Sequence, residues 1–153
     1  MKLARLVASG FGMGRVPVAA GTAASVVATL LGAGLLLASP VWLALVALAA
    51  TFGGYWAVAS ARIEGDPGWV TIDEFAGQFI VLLGLPHVSP GWLVAAFLLF
   101  RVLDITKLGP VGWAERKHGA FGVMADDVIA GILGALVLLA AGLVDSGRLA
   151  LFG

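Results

Sequence analysis

Five acidic residues stand beside long apolar runs of the sequence, where charged side chains are costly and usually functional. They are Asp73-Glu74, Asp104 and Asp126-Asp127. If these carboxylates meet, they repel one another, since two unit charges about 4 Å apart cost about 4 kcal/mol at an effective dielectric constant of about 20. A hard divalent cation relieves that repulsion, and Mg²⁺ prefers carboxylate and phosphate oxygens. We therefore predict a magnesium site, with all five residues as candidate metal ligands and catalytic groups.

Basic residues accompany these acids. Arg101, Asp104 and Lys107 recur every three residues, which places them on one side of a helix, and Arg116 and Lys117 follow in the next polar stretch. Lysine and arginine suit a phosphate group, and arginine can contact two phosphate oxygens at once. The pattern favours phosphate chemistry, with Arg101, Lys107 and Arg116 as candidate substrate-binding residues.

Each charged cluster also has a purely structural interpretation. Asp73-Glu74 and Asp126-Asp127 could cap helices and complement their dipoles. Arg101 and Asp104 have the spacing of an ordinary helical ion pair. The functional interpretation rests on finding all three clusters in one membrane-embedded chain.

Composition indicates the environment in which this chemistry takes place. The chain has 153 residues, of which 61% are hydrophobic, and a mean hydropathy of +1.06. These values exclude an ordinary soluble domain and predict an integral membrane protein. Nine basic residues balance nine acidic ones, so no net field favours nucleic acid, and the lack of cysteine excludes thiolate zinc sites and cysteine-nucleophile phosphatases.

Apolar runs locate the membrane spans. Runs 21–38 and 40–61 carry no charge and are close to the about 20 residues needed to cross a bilayer, with a turn at Ser39-Pro40. Two shorter runs, 75–85 and 92–103, are separated by a proline-rich break. One kinked span would place Asp73 and Asp104 on opposite faces of the membrane, whereas two short helices return them to the same face. We favour two helices.

A final run at 125–144 completes the set. The predicted fold is an all-α integral membrane protein, a single domain over 1–153. It is a compact bundle of about five transmembrane helices, with four as the alternative, and its third and fourth helices are short and joined by the proline-rich turn. Lysine and arginine in the short loops predict that the acidic residues face the cytoplasm.

The charged motifs and a glycine-rich segment near the N-terminus carry a family resemblance. The matching stretches are Gly12-Met13-Gly14-Arg15-Val16-Pro17, Gly21-Thr22 with Ser25, Ile72-Asp73-Glu74-Phe75-Ala76-Gly77, Phe100-Arg101-Val102-Leu103-Asp104-Ile105-Thr106-Lys107 and Gly122-Val123-Met124-Ala125-Asp126-Asp127-Val128-Ile129-Ala130-Gly131. At these residues the chain resembles the phosphatidylglycerophosphatase A family of bacterial membrane lipid phosphatases. The resemblance extends over nearly the whole chain.

The resemblance implies a reaction and a site. It implies removal of the terminal phosphate from phosphatidylglycerophosphate to give phosphatidylglycerol, with magnesium, in a multi-pass protein of the bacterial cytoplasmic membrane. It also implies that the five acids form the catalytic centre and that Arg101 and Lys107 bind the phosphate. Thr22 and Ser25, in a matching motif, join the candidate substrate contacts. The expected partners are the lipid substrate and membrane lipids, and oligomeric state stays open.

Two questions remain open at this level. The nucleophile is either a metal-bound water molecule activated by a carboxylate or an aspartate, Asp126 or Asp127, that becomes phosphorylated. The alternative function is a small membrane transporter or ion-pathway subunit with an acidic cation site. Such a protein typically carries charges near span centres and repeated broken helices, whereas here the acids lie near span ends.

Overall fold

The computed structural model of the chain describes residues 2–63, 65 and 67–146, and these residues form helices and connecting loops without a strand. A short 3₁₀ segment, Gly10–Arg15, joins the first two α-helices and is kinked at Phe11 and Gly12. The α-helices are α1 (Lys2–Ala8), α2 (Ala20–Ala38), α3 (Pro40–Ser60), α4 (Ile72–Leu82), α5 (Pro90–Thr106), α6 (Pro110–Glu115) and α7 (Gly119–Asp145). The predicted all-α fold is confirmed.

Three of the described helices, α2, α3 and α7, are long and apolar enough to cross a membrane. Their 19, 21 and 27 residues correspond to about 28 to 40 Å of helix. Large apolar side chains such as Leu30, Phe52 and Leu136 lie exposed on their outer faces, where lipid would cover them. These helices support membrane association, but α4 has only 11 residues and α5 has 17, so a total of five spans stays a prediction.

Helix α4 lies inside the bundle and packs against α2, α3, α5 and α7. Apolar residues on all its sides are buried, which is the pattern of an interior helix. Glycines allow the backbones of α4 and α7 to touch: a Cβ atom at Gly131 would overlap the backbone of Gly77. This close approach matters because Asp73 and Glu74 lie in the first turn of α4.

The connections follow local sequence signals. Ser39 ends α2, and its hydroxyl accepts a hydrogen bond from the Val41 amide at the start of α3. Residues 83–89 separate α4 from α5, and the Ser89 hydroxyl accepts a hydrogen bond from the Trp92 amide. Two separate short helices therefore replace the single kinked helix, as we favoured.

Helix α7 differs from the prediction at its start. It begins at Gly119, six residues before the predicted run of 125–144. Asp126 and Asp127 consequently lie about 10 Å inside the helix and outside its first turn. The capping interpretation of this pair is therefore wrong, because the unpaired amide groups of a helix lie in its first turn.

Candidate active site

Three carboxylates from two helices meet in one place. Asp73 and Glu74 come from the first turn of α4, and Asp127 comes from the third turn of α7. One oxygen of each lies within 4.8 Å of the others. Asp73 and Asp127 are buried and Glu74 is half-buried. We call these three residues the carboxylate cluster.

The glycine contact between α4 and α7 brings the cluster together. A Cβ atom at Gly77, one turn after Asp73, would collide with the backbone oxygen of Asp127 and with the Phe100 ring. Any larger residue would push α4 away from α7 and separate the carboxylates. Glycine at position 77 thus allows the close approach of α4 and α7 that the site requires.

The other two predicted acids are paired with cations. Arg101 Nη1 lies 2.7 Å from Asp104 Oδ2, and Lys107 Nζ lies 3.3 Å from Asp104 Oδ1. Lys107 also donates a hydrogen bond to Asp126 Oδ2. We call Arg101, Asp104, Lys107 and Asp126 the ion-pair network. The helical ion pair of Arg101 and Asp104 exists, but it forms part of this larger arrangement.

The cluster and the network adjoin each other. Asp126 and Asp127 are consecutive, and Asp126 Oδ1 accepts a hydrogen bond of 3.0 Å from the Asp127 amide. On α4, Asp73 Oδ1 accepts a hydrogen bond of 3.0 Å from the Glu74 amide. The structure thus brings all five predicted acids, together with Arg101 and Lys107, to one end of the bundle.

Lys107 keeps its positive charge in this setting. Partial burial of the ammonium group lowers its pKa, but the hydrogen bond to Asp126 and the charges of Asp126, Asp104 and Asp127 raise it by more. The net result is a pKa above the ordinary value for lysine. The network therefore favours a cation beside the carboxylate cluster.

The start of α2 packs against the same site. A Cβ atom at Gly21 would overlap the Glu74 carboxylate and lie 3.6 Å from Arg101 Nη1. Thr22 follows in the same turn and is half-buried. Ser25 is fully buried, and its hydroxyl donates a hydrogen bond of 2.9 Å to the Gly21 carbonyl. The roles of Thr22 and Ser25 in substrate binding stay predictions.

Arg116 lies on a separate side of the site. It is exposed and lines a cavity of about 200 Å³ together with Lys117, His118 and Asp126. We call this cavity the polar cleft. Through Asp126 it adjoins the ion-pair network, and the role of Arg116 in substrate binding stays a prediction.

Two buried polar residues near the site were not predicted from the sequence. Gln78 is 0% exposed, and neither polar atom of its amide has a hydrogen-bond partner among the described residues. The Thr71 hydroxyl is also buried and without such a partner. Both flank Asp73-Glu74, and Gln78 follows Glu74 by one helical turn. A lone glutamine in an apolar run was the signal that could have identified it.

Comparison with known proteins fixes the family. The family model described as Phosphatidylglycerophosphatase A matches residues 6–142, a range that includes the carboxylate cluster and the ion-pair network. The chain belongs to this family. The family predicted from the sequence motifs is therefore confirmed, as is the assignment to a class of phosphatase enzymes, and the transporter alternative is disfavoured.

Curated relatives of this family cover most of the chain. Phosphatidylglycerophosphatase A of Haemophilus influenzae is 40% identical over 140 residues, which are 88% of this chain and 86% of the relative. The protein of the same name from Escherichia coli K12 is 36% identical over 147 residues, 87% of this chain and 80% of the relative.

A third relative carries a different name. It comes from Bacteroides thetaiotaomicron and is 36% identical over 148 residues, 89% of this chain and 91% of the relative. Its name is a provisional assignment as a phosphatidylinositol-3-phosphatase. No solved structure matches the chain significantly.

Proposed function

We propose that this protein hydrolyses the terminal phosphomonoester of phosphatidylglycerophosphate and releases phosphatidylglycerol and inorganic phosphate. The family and the names of two relatives support this substrate. The observation that carries the proposal is the contact between the carboxylate cluster and the ion-pair network. One group suits a divalent cation, and the other provides cations for phosphate oxygens.

The residues of the cluster fit a magnesium ion. Asp73, Glu74 and Asp127 offer hard oxygen donors within 4.8 Å of one another, and Glu74 Oε2 is buried without a hydrogen-bond partner among the described residues. We assign these three as the ligands. Magnesium bound there would neutralise the carboxylates and polarise the phosphate. Asp104 and Asp126, which we also predicted as ligands, are held by cations and would act by positioning them.

Arg101 and Lys107 would bind the phosphate group. Arg101 uses Nη1 for Asp104, and its Nε is buried without a partner among the described residues. Lys107 carries three N–H donors and contacts two carboxylates. Each cation thus retains a donor for a phosphate oxygen, and charge that develops on the phosphate during transfer would be stabilised by groups already in position.

A water molecule is the proposed nucleophile. Its oxygen attacks phosphorus, its proton passes to a carboxylate of the cluster, and the bond between phosphorus and the glycerol oxygen breaks. That glycerol oxygen takes up the proton from the carboxylate as phosphatidylglycerol leaves. The stereochemistry at phosphorus tests this step. If water attacks phosphorus directly, a substrate made chiral at its terminal phosphate should react with inversion of configuration at phosphorus. Net retention would instead indicate phosphorylation of Asp126 or Asp127 followed by hydrolysis.

The proposed location is the cytoplasmic face of a bacterial inner membrane, with five spans. The cations Arg62, Lys107, Arg116 and Lys117 lie in loops or at helix ends, and positive charge is typical of cytoplasmic loops. Because the chain has no cysteine, single cysteines introduced at Ser39 and Lys117 can be labelled cleanly. A membrane-impermeant thiol reagent added to intact cells should label position 39 and spare position 117.

A phosphate-release assay tests the function itself. Purified protein and phosphatidylglycerophosphate should release phosphate in the presence of Mg²⁺ and not after chelation. Asp127→Asn should lower the rate at least about 100-fold, by analogy with the loss of one charge-stabilising group. Asp145→Asn is the matched control, because Asp145 is exposed near the other end of α7, about 27 Å away along the helix. Equal rates for the two variants would contradict the proposal.

A further inference from the structure

Another cavity lies outside the carboxylate cluster and the ion-pair network. It has a volume of about 570 Å³ and is formed by α1, the 3₁₀ segment and the loop before α4. Lys2, Arg5 and Arg15 line it together with Ser9 and Trp69. None of the described lining residues is acidic. We call it the basic cavity.

The three cations of the basic cavity lack acidic partners in the part of the chain that the structure describes. The salt bridges among the described residues involve Arg101 and Lys107, which do not line this cavity. Like charges around one cavity repel each other, and an anion in that cavity would remove the repulsion. The basic cavity therefore has the charge of a binding site for an anion.

The wall of the cavity is held in place by hydrogen bonds. The Ser9 hydroxyl donates to the Leu6 carbonyl at 3.0 Å and accepts from the Gly12 amide at 3.2 Å. The Thr71 amide donates to the Ala8 carbonyl at 3.0 Å. A Cβ atom at Gly14 would overlap the Trp69 carbonyl. The 3₁₀ segment is thus fixed against the loop that leads into Asp73.

Apolar side chains of the same segment point to a membrane ligand. Leu3, Leu6 and Phe11 are exposed, and Phe11 is 72% exposed. Exposed apolar residues next to lysine and arginine are typical of segments that lie in the membrane interface. Trp69 adds an indole, which favours the level of the lipid headgroups. A ligand of this cavity would be a molecule with both a negative group and hydrocarbon chains.

We propose that the basic cavity binds the phosphodiester group of an anionic phospholipid, whose acyl chains lie along the exposed apolar residues of α1. This phosphodiester is chemically distinct from the phosphomonoester that the carboxylate cluster would cleave. The proposed substrate and product also carry a phosphodiester, so the inference is tested with an anionic phospholipid that is neither of them. Because Trp69 precedes Asp73 by four residues, a lipid held here would contact the loop that leads into the candidate active site.

Lipid retention by the purified full-length protein tests this inference. Native mass spectrometry would compare phosphatidylserine with phosphatidylcholine of the same acyl chains. The unaltered protein should retain phosphatidylserine preferentially, and the double variant Arg5→Gln/Arg15→Gln should retain it on the order of tenfold less, given the energy of a basic residue at an anionic membrane surface. The single variant Arg15→Gln should give a smaller loss, which keeps the test valid if the double variant fails to fold.

Matched variants separate this site from the other charges. Arg62→Gln removes an exposed cation that does not line the cavity and should leave retention unchanged. Asp127→Asn should also leave it unchanged, even if it abolishes phosphate release. Equal retention of the two lipids, or an equal loss in Arg62→Gln and the double variant, would overturn the proposal. Displacement of the lipid by millimolar inorganic phosphate would instead identify a site for free anions and overturn the lipid assignment.

Discussion

The ammonium group of Lys107, at the end of α5, donates a hydrogen bond to Asp126 Oδ2 in α7, 19 residues further along the chain. This bond joins two helices that contribute different charges to the site. Because Asp127 follows Asp126 directly, the bond also sets the position of the cation relative to the carboxylate cluster. The geometry of the site depends on this pairing of opposite charges across helices.

Replacing Lys107 should therefore slow the reaction. Lys107→Gln removes the cation from Asp104 and Asp126 and should lower the rate of phosphate release about 100-fold. Lys107→Arg should retain part of the activity, because arginine keeps the charge but has a different geometry. The exposed Arg62 provides the control, and an equally large loss in Arg62→Gln would argue against a specific role of Lys107.

Gly21→Ala should damage the site by steric overlap. A methyl group there would overlap the Glu74 carboxylate, so we expect a loss of activity of about tenfold or more. Gly34→Ala in the same helix is the control, because a Cβ atom at Gly34 meets nothing within 4 Å. That variant should keep full activity and be as stable as the original or slightly more so, since alanine favours a helix by about 1 kcal/mol over glycine. Similar kinetics for the two variants would refute the overlap.

Gln78→Met tests the buried amide. Methionine has a similar shape and removes two buried polar atoms that lack hydrogen-bond partners among the described residues, each of which costs about 1–3 kcal/mol. Thermal unfolding in detergent should therefore show an equal or higher melting temperature. A clearly lower melting temperature would mean that the amide has a partner in the folded protein.

The division of the five acids predicts two kinds of kinetic effect. Asp73→Asn removes a proposed magnesium ligand and should raise the Mg²⁺ concentration needed for half-maximal activity by about tenfold or more. Asp104→Asn removes the negative charge that holds Arg101 and Lys107. It should therefore lower the maximal rate with a much smaller change in Mg²⁺ dependence. Titration of activity with Mg²⁺ measures both. Identical shifts in the two variants would argue for a single site that uses all five acids.

Local signals in the sequence were sufficient to predict much of the fold. The uncharged runs identified α2 and α3 almost to the residue, and Ser39-Pro40 marked the turn between them. The start of α7 was placed too late because Asp126 and Asp127 were interpreted as residues at the end of a span. Asp126 can lie inside the helix because Lys107, from a distant part of the chain, pairs with it.

The candidate site was predictable as a set of residues and not as an arrangement. Charge and spacing identified the five acids, but which of them pair with cations depends on contacts between helices. Gln78 was missed because a single polar residue gives no periodic pattern. The basic cavity was missed because it forms only when the 3₁₀ segment packs against Trp69.

Binding of Mn²⁺ as a spectroscopic substitute for Mg²⁺ tests the central claim most directly. Electron paramagnetic resonance counts bound Mn²⁺ without requiring substrate or turnover. The unaltered protein should bind the ion in competition with Mg²⁺, Asp127→Asn should lose that binding, and Asp145→Asn should keep it. Undiminished Mn²⁺ binding by the Asp127→Asn variant would contradict the claim that Asp73, Glu74 and Asp127 hold one divalent cation.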